Sequence, residues 1–293
     1  MTSEPTPPKV DKLAIALRLG IFAFLATAGV VIFPRLLNWA PNMYFVASAL
    51  GVFAAAAVAN AIALRIYERG QLADLGMGWT PASRKNLLIG FAGGGAAALT
   101  AILLALWLHA ATIERVPETK FQWGSVFFVS VVLLFGAIGE EMLFRGYAFQ
   151  VLLGYLGPFA TILPFGVLFA FAHLGNPGQG SPIVGFVAPL NTALWGILLG
   201  YAFLRSGDLW LPIGLHFGWN CLLPLLGANV SGFTMGVTGI AFRTRANDMW
   251  TGGEYGPEGG LLTTLIVFAL AYGLYRAPVE RQTPALVRSA ESW

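Results

Sequence analysis

Charge is what this 293-residue chain lacks most. Asp, Glu, Lys and Arg together make up 11% of it, and 57% is hydrophobic; a soluble domain carries about 25% charged residues. With a mean hydropathy of +0.71, the composition alone excludes an ordinary soluble domain. Cysteine is nearly absent as well. Cys221 stands alone in an apolar run, which excludes an intramolecular disulfide and a Cys-based zinc site and leaves it a packing role. There is no HExxH sequence, no internal repeat of fixed period, and no basic patch interleaved with aromatics. The net charge of +3 therefore speaks for membrane topology rather than for nucleic acid.

What is present is a series of long apolar runs. A bilayer helix needs about 20 residues, and the sequence predicts an all-α, polytopic transmembrane bundle of about eight spans. Residues 1–12 read as a disordered, proline-rich leader. Residues 13–110 hold the N-terminal spans, Leu13 to Phe33, Met43 to Leu64 and Asn86 to His109. Arg18 is placed to snorkel, and Gly90 with Gly94 is placed to pack closely. A fourth span starts near Phe121, and Gly154 to Pro158 reads as a turn. Phe159 to His173, Phe186 to Leu204 and Leu211 to Leu226 follow, so that residues 120–226 form the membrane core. Residues 227–260 are a Gly-rich loop suggestive of mobility, 261–275 a last span, and 276–293 a polar tail. Lys9, Lys12, Arg18, the basic loop from Arg65 to Lys85, and Arg276, Arg281 and Arg288 place both ends on the cytoplasmic side. Arg243 and Arg245 fall outside against that trend. Trp39, Trp79 and Trp123 near span ends fit an aromatic belt.

Within this apolar background, Gly139-Glu140-Glu141-Met142-Leu143-Phe144-Arg145 stands out. No charged residue occurs from Phe121 to Ile138 or from Gly146 to Leu204. One ionised side chain at the centre of a bilayer helix costs roughly 2.5–3.5 kcal/mol on insertion scales, so three together mark a functional site. Glu141 and Arg145 are i and i+4, the favourable order for a pair. Glu140 is rotated by about 100° and faces another neighbour. Phe169 and His173 share a helical face, as do His216 and Asn220. Glu140 and His173 come level if the chain makes a hairpin at Gly157-Pro158. His216, counted from the Arg205 turn, does not match that depth unless a loop dips into the bilayer. His109, at a span end, reads as interfacial, and Asn191 is a lone polar group free to bond a neighbour or line a cavity.

Glu140-Glu141-x-x-x-Arg145, Phe169-x-x-x-His173 and His216-x-x-x-Asn220 occur in the order EExxxR, FxxxH, HxxxN. In this the chain resembles the CPBP family of intramembrane proteases, the type II CAAX prenyl endopeptidases and bacteriocin-processing or immunity proteins, over roughly residues 120–226. The resemblance implies that Glu140 and His173 activate a water, that His216 and Asn220 stabilise the oxyanion, and that Glu141, Arg145 and Phe169 hold the site in shape. It implies an endopeptidase, an integral multi-pass protein of the cell membrane, whose partners are the lipid bilayer and a membrane-associated protein or peptide. Glu140, His173 and His216 are also a set able to bind Zn²⁺; a metal-dependent and a metal-free glutamate mechanism both stay open. The alternatives are a proton-coupled transporter, since intramembrane Glu and His also build proton relays, and a non-catalytic immunity or scaffold protein.

Overall fold

The computed structural model describes residues 12–40, 43–245 and 247–290. The expected disordered leader lies outside them apart from Lys12, as do the last three residues of the expected tail. The described chain is all-α with one two-stranded ribbon. Its helices are α1 (Lys12–Leu37), α2 (Tyr44–Tyr67), α3 (Pro81–Trp107), α4 (Trp123–Arg145), α5 (Tyr147–Leu156) and α6 (Pro158–His173). These are followed by α7 (Pro182–Ser206), α8 (Trp210–Leu225), α9 (Asp248–Thr251), α10 (Leu261–Arg276) and α11 (Ala285–Ala290). Strands β1 (Ala111–Arg115) and β2 (Ile240–Thr244) pair antiparallel, Ile113 opposite Phe242.

Five stretches are long and apolar enough to cross a membrane: α1, α2, α3, α7 and the α4–α5 stretch of 34 residues. The expectation of eight spans is therefore met only in part, because α6, α8 and α10 have 16 residues each. At about 1.5 Å per residue they reach about 24 Å, short of a hydrocarbon core of about 30 Å. Large apolar side chains stand exposed on the outer faces, Phe24, Leu103 and Phe127 among them, as a lipid-facing surface requires. Trp39, Trp79 and Trp123 are exposed at helix ends.

Glycine sets the tightest helix contact. A Cβ on Gly90 or Gly94 of α3 would strike the backbone of Leu211 or Leu215 in α8, and one on Gly214 or Gly218 would strike Leu87 or Phe91 in return. Two small-xxx-small faces thus interlock, bringing the backbones together without side chains between them. Gly166 of α6 and Gly196 of α7 pack in the same manner.

One face of the bundle gathers the basic loops and the tail. Leu209 N–H donates to Gly76 O and Gln282 N–H to Ser206 O. Lys85 pairs with Glu280 at 2.8 Å, and Asn86 bonds both Asp208 and the Glu280 backbone. Burial pushes the Asp208 carboxyl up, while donors from Asn86, Leu211, Ser206 and Gln282 pull it down. Arg18, expected to snorkel, instead pairs with Glu68 at 2.9 Å and lies over the Tyr67 ring. The ribbon and residues 227–260 lie at the other end. There Val116 N–H donates to Gly239 O and Gly232 N–H to Tyr255 O. That segment is tied in rather than free, with Val230, Val237 and Tyr255 buried.

Candidate active site

The site forms where α4 breaks. A straight α4–α5 helix of 34 residues would be about 51 Å long, well beyond a bilayer core. Gly146, at φ −76° and ψ −137°, interrupts it. A side chain there would strike Met142 O and Asn60 Oδ1, so only glycine fits. The break leaves backbone groups without helical partners, and α2 supplies them. Asn60 Nδ2 donates to Met142 O at 3.0 Å, and Asn60 Oδ1 accepts from Tyr147 N–H at 2.8 Å. Gln150 Nε2 donates to Arg145 O at 2.9 Å and to Leu75 O at 3.0 Å. The expected turn over 154–158 is narrower: α5 continues through Leu156, and only Gly157, at φ 79°, turns the chain into Pro158.

The break also resolves the mismatch in depth. Glu140 sits five residues before the end of α4, and His216 sits six residues after the start of α8. The two helices pack side by side with these ends on the same face. No loop needs to dip into the bilayer.

Glu141 and Arg145 are fully buried and pair at 3.2 Å. Arg145 Nη2 donates to Gly196 O at 2.7 Å, tying α4 to α7, and its guanidinium lies 4.9 Å from the Phe169 ring centre. Glu141 Oε1 also faces His216 Nδ1 at 2.8 Å. An ionised carboxylate only accepts, so Nδ1 carries a proton and Nε2 is turned inward. His173 is fixed likewise. Its Nδ1 lies 2.7 Å from Phe169 O, which only accepts, and its ring packs 4.6 Å from the Phe169 ring. Both inward nitrogens converge on one atom: Glu140 Oε2 is 3.6 Å from His173 Nε2 and 3.8 Å from His216 Nε2. That oxygen is buried and makes no hydrogen bond within the protein.

Glu140, Phe169, His173 and His216 line a cavity of about 300 Å³ walled by α1, α2, α4, α6, α7, α8 and the 227–260 segment. Asn220, one turn beyond His216, lines it too, with Thr192, Trp195 and Trp219. The structure thus brings together Glu140, Glu141, Arg145, Phe169, His173, His216 and Asn220. His109 sits exposed at the end of α3 with φ 53°, away from the cavity. Asn191 bonds the Glu258 and Gly260 carbonyls at 2.7 and 2.9 Å and accepts from Thr264, which fixes the start of α10.

Two contributors were not visible in the spacing of motifs. Asn60 looks like a lone polar residue in a poly-Ala helix. Glu258, in the Gly-rich segment, is buried at the cavity wall, where it accepts from Trp219 Nε1 at 3.0 Å, from Ser231 Oγ at 2.8 Å and from Ser231 N–H. Burial pushes its carboxyl up, and these donors pull it down.

Glu140, His173 and His216 have the donor types for Zn²⁺. Among the described residues, however, no group of three His, Cys, Asp or Glu is disposed to hold a metal ion.

Residues 122–222 match the family described as Type II CAAX prenyl endopeptidase Rce1-like. This segment is a domain of that family. The match runs from the start of α4 into α8 and contains all seven of the motif residues above, while Asn60, Ser231 and Glu258 fall outside it. Membership implies a protease, and with the apolar helices it indicates an integral multi-pass membrane protein. No curated protein matches the chain.

Proposed function

We propose that the chain is an intramembrane endopeptidase of the cell membrane that hydrolyses a peptide bond in a membrane-associated protein, with CAAX-type processing the form of that activity the family suggests. The observation that carries this reading is the unbonded Glu140 Oε2, held between two inward-facing imidazole nitrogens in a cavity inside an apolar bundle.

Glu140 and His173 hold a water in the gap between them. Glu140 takes one proton as the hydroxide oxygen bonds to the scissile carbonyl carbon. The carbonyl oxygen becomes an oxyanion and accepts from His216 and the Asn220 amide. A doubly protonated His216 has an acceptor for each N–H, Glu141 at Nδ1 and the oxyanion at Nε2. The tetrahedral carbon then expels the amine, the C–N bond breaks, and Glu140 returns its proton to the leaving nitrogen. Arg145 holds Glu141 in place. A positioned base contributes about 10²–10⁴-fold and an oxyanion donor about 10²–10³-fold.

The test is a panel of His173→Ala, His216→Ala and Asn220→Ala in purified protein, read by mass spectrometry of peptide fragments. The two histidine variants lose at least a hundredfold in rate and Asn220→Ala about as much, with unchanged membrane insertion. Full turnover in His173→Ala or His216→Ala would overturn the assignment.

A further inference from the structure

Among the described residues, Glu258 differs from Glu140 and Glu141 in forming no ion pair. Glu141 has Arg145, and Glu140 has two imidazoles within 4 Å. Glu258 has only the neutral donors of Trp219 and Ser231, and among the described residues it forms no ion pair. His173 acts on it only through space. Among the described residues, no Lys or Arg lines the cavity. A buried carboxylate facing neutral donors alone is costly unless a positive charge joins it.

The position is also built, not incidental. Asn191 grips the backbone at Glu258 and Gly260, and Thr263 Oγ1 donates to Pro257 O at 2.6 Å. Asn229 Nδ2 donates to Glu254 O at 2.7 Å. Ser231 adopts a left-handed φ of 48°, rare outside glycine, and turns both its N–H and its hydroxyl to the same carboxylate oxygen. A carboxylate has about four acceptor positions. Three are filled from the protein side, which leaves one on a residue that lines the same cavity as Glu140. Such fixed placement suits recognition better than a mobile lid.

We infer that Glu258 is a specificity residue, whose carboxylate binds a positively charged side chain, the ammonium of Lys or the guanidinium of Arg, in the peptide that enters the cavity. The inference rests on the endopeptidase reading for the identity of its ligand, but binding can be measured without cleavage. Glu258 lies beyond the 122–222 family segment, so this selectivity belongs to the part of the chain that the family pattern does not describe.

The experiment is fluorescence polarisation of labelled peptide twins, one Lys against norleucine at successive positions, with purified wild type, Glu258→Gln and Ser231→Ala. At one or two adjacent positions wild type binds the Lys twin about tenfold more tightly. Glu258→Gln binds both twins equally. Ser231→Ala, which removes one neutral donor and leaves the carboxylate, keeps the preference. Thermal unfolding of each variant separates a lost contact from a lost fold. Equal binding of all twins by wild type, no binding of either, or a preference that survives Glu258→Gln overturns the inference. Bound peptides that stay intact with the preference present would instead contradict the endopeptidase reading and leave the cation site standing.

Discussion

Asn60→Leu removes the α2 side chain that bridges the α4–α5 break while nearly conserving volume. Three hydrogen bonds disappear. The one to Ala56 O, at 2.7 Å, is within its own helix, where that carbonyl already has a backbone donor, so its loss counts for little. The other two leave Met142 O and Tyr147 N–H without partners in a site where Asn60 is fully buried. An orphaned buried group costs about 1–3 kcal/mol, so the pair predicts a loss of about 2–6 kcal/mol. Met142 adjoins Glu141, so a relaxed break also shifts the acid pair from its histidines, and activity falls with stability. Asn60→Asp keeps the acceptor for Tyr147 but buries a carboxylate against the Met142 carbonyl, and costs at least as much as leucine. Thermal unfolding in detergent, paired with peptide cleavage, reads both effects. A leucine variant as stable and as active as wild type would refute the view that α2 holds the catalytic helix in register.

Arg145→Met leaves Glu141 buried with only His216 opposite, and removing one member of a buried pair costs about 3–5 kcal/mol. Denaturant titration should show that loss, and Arg145→Lys should not rescue it, since one ammonium cannot reach both Glu141 and Gly196 O in the fork geometry seen here. Gly94→Val drives a side chain into the α8 backbone at Leu215 and Trp219, one and three residues from His216; overpacking of this kind costs about 1–3 kcal/mol or more. Gly20→Ala in α1 meets nothing within 4 Å and should leave unfolding temperature and cleavage unchanged or slightly improved.

The site was legible in the sequence because charge is so costly in an apolar chain that Glu140, Glu141 and Arg145 could not be accidental. Helical spacing then separated the two acids correctly: Arg145 pairs with Glu141, and Glu140 turns to the histidines. Gly90 and Gly94 announced a close contact, but only the structure shows Gly214 and Gly218 as the other half, since spacing within one helix cannot name its partner. Five of the expected spans are shown and eight are not, because α6, α8 and α10 have only 16 residues each and α8 is shielded by protein on most of its surface. The depth of Glu140 was misjudged by counting along a straight helix to Gly157, and the break at Gly146 ends that count. Composition marked 227–260 as mobile because glycine permits many conformations. In the fold those glycines serve close approaches, such as Gly252 against Gly259 and Gly256 against Asn229, and so bring Glu258 to the cavity.

The most direct test of the central claim is cleavage of a quenched fluorescent peptide library by purified wild-type protein and by Glu140→Ala, side by side in detergent. Loss of the base removes about 10²–10⁴-fold, so the account predicts wild-type turnover that vanishes in the variant while its unfolding temperature stays within a few degrees. Equal turnover in both preparations would show that Glu140 is not the base and would contradict the account.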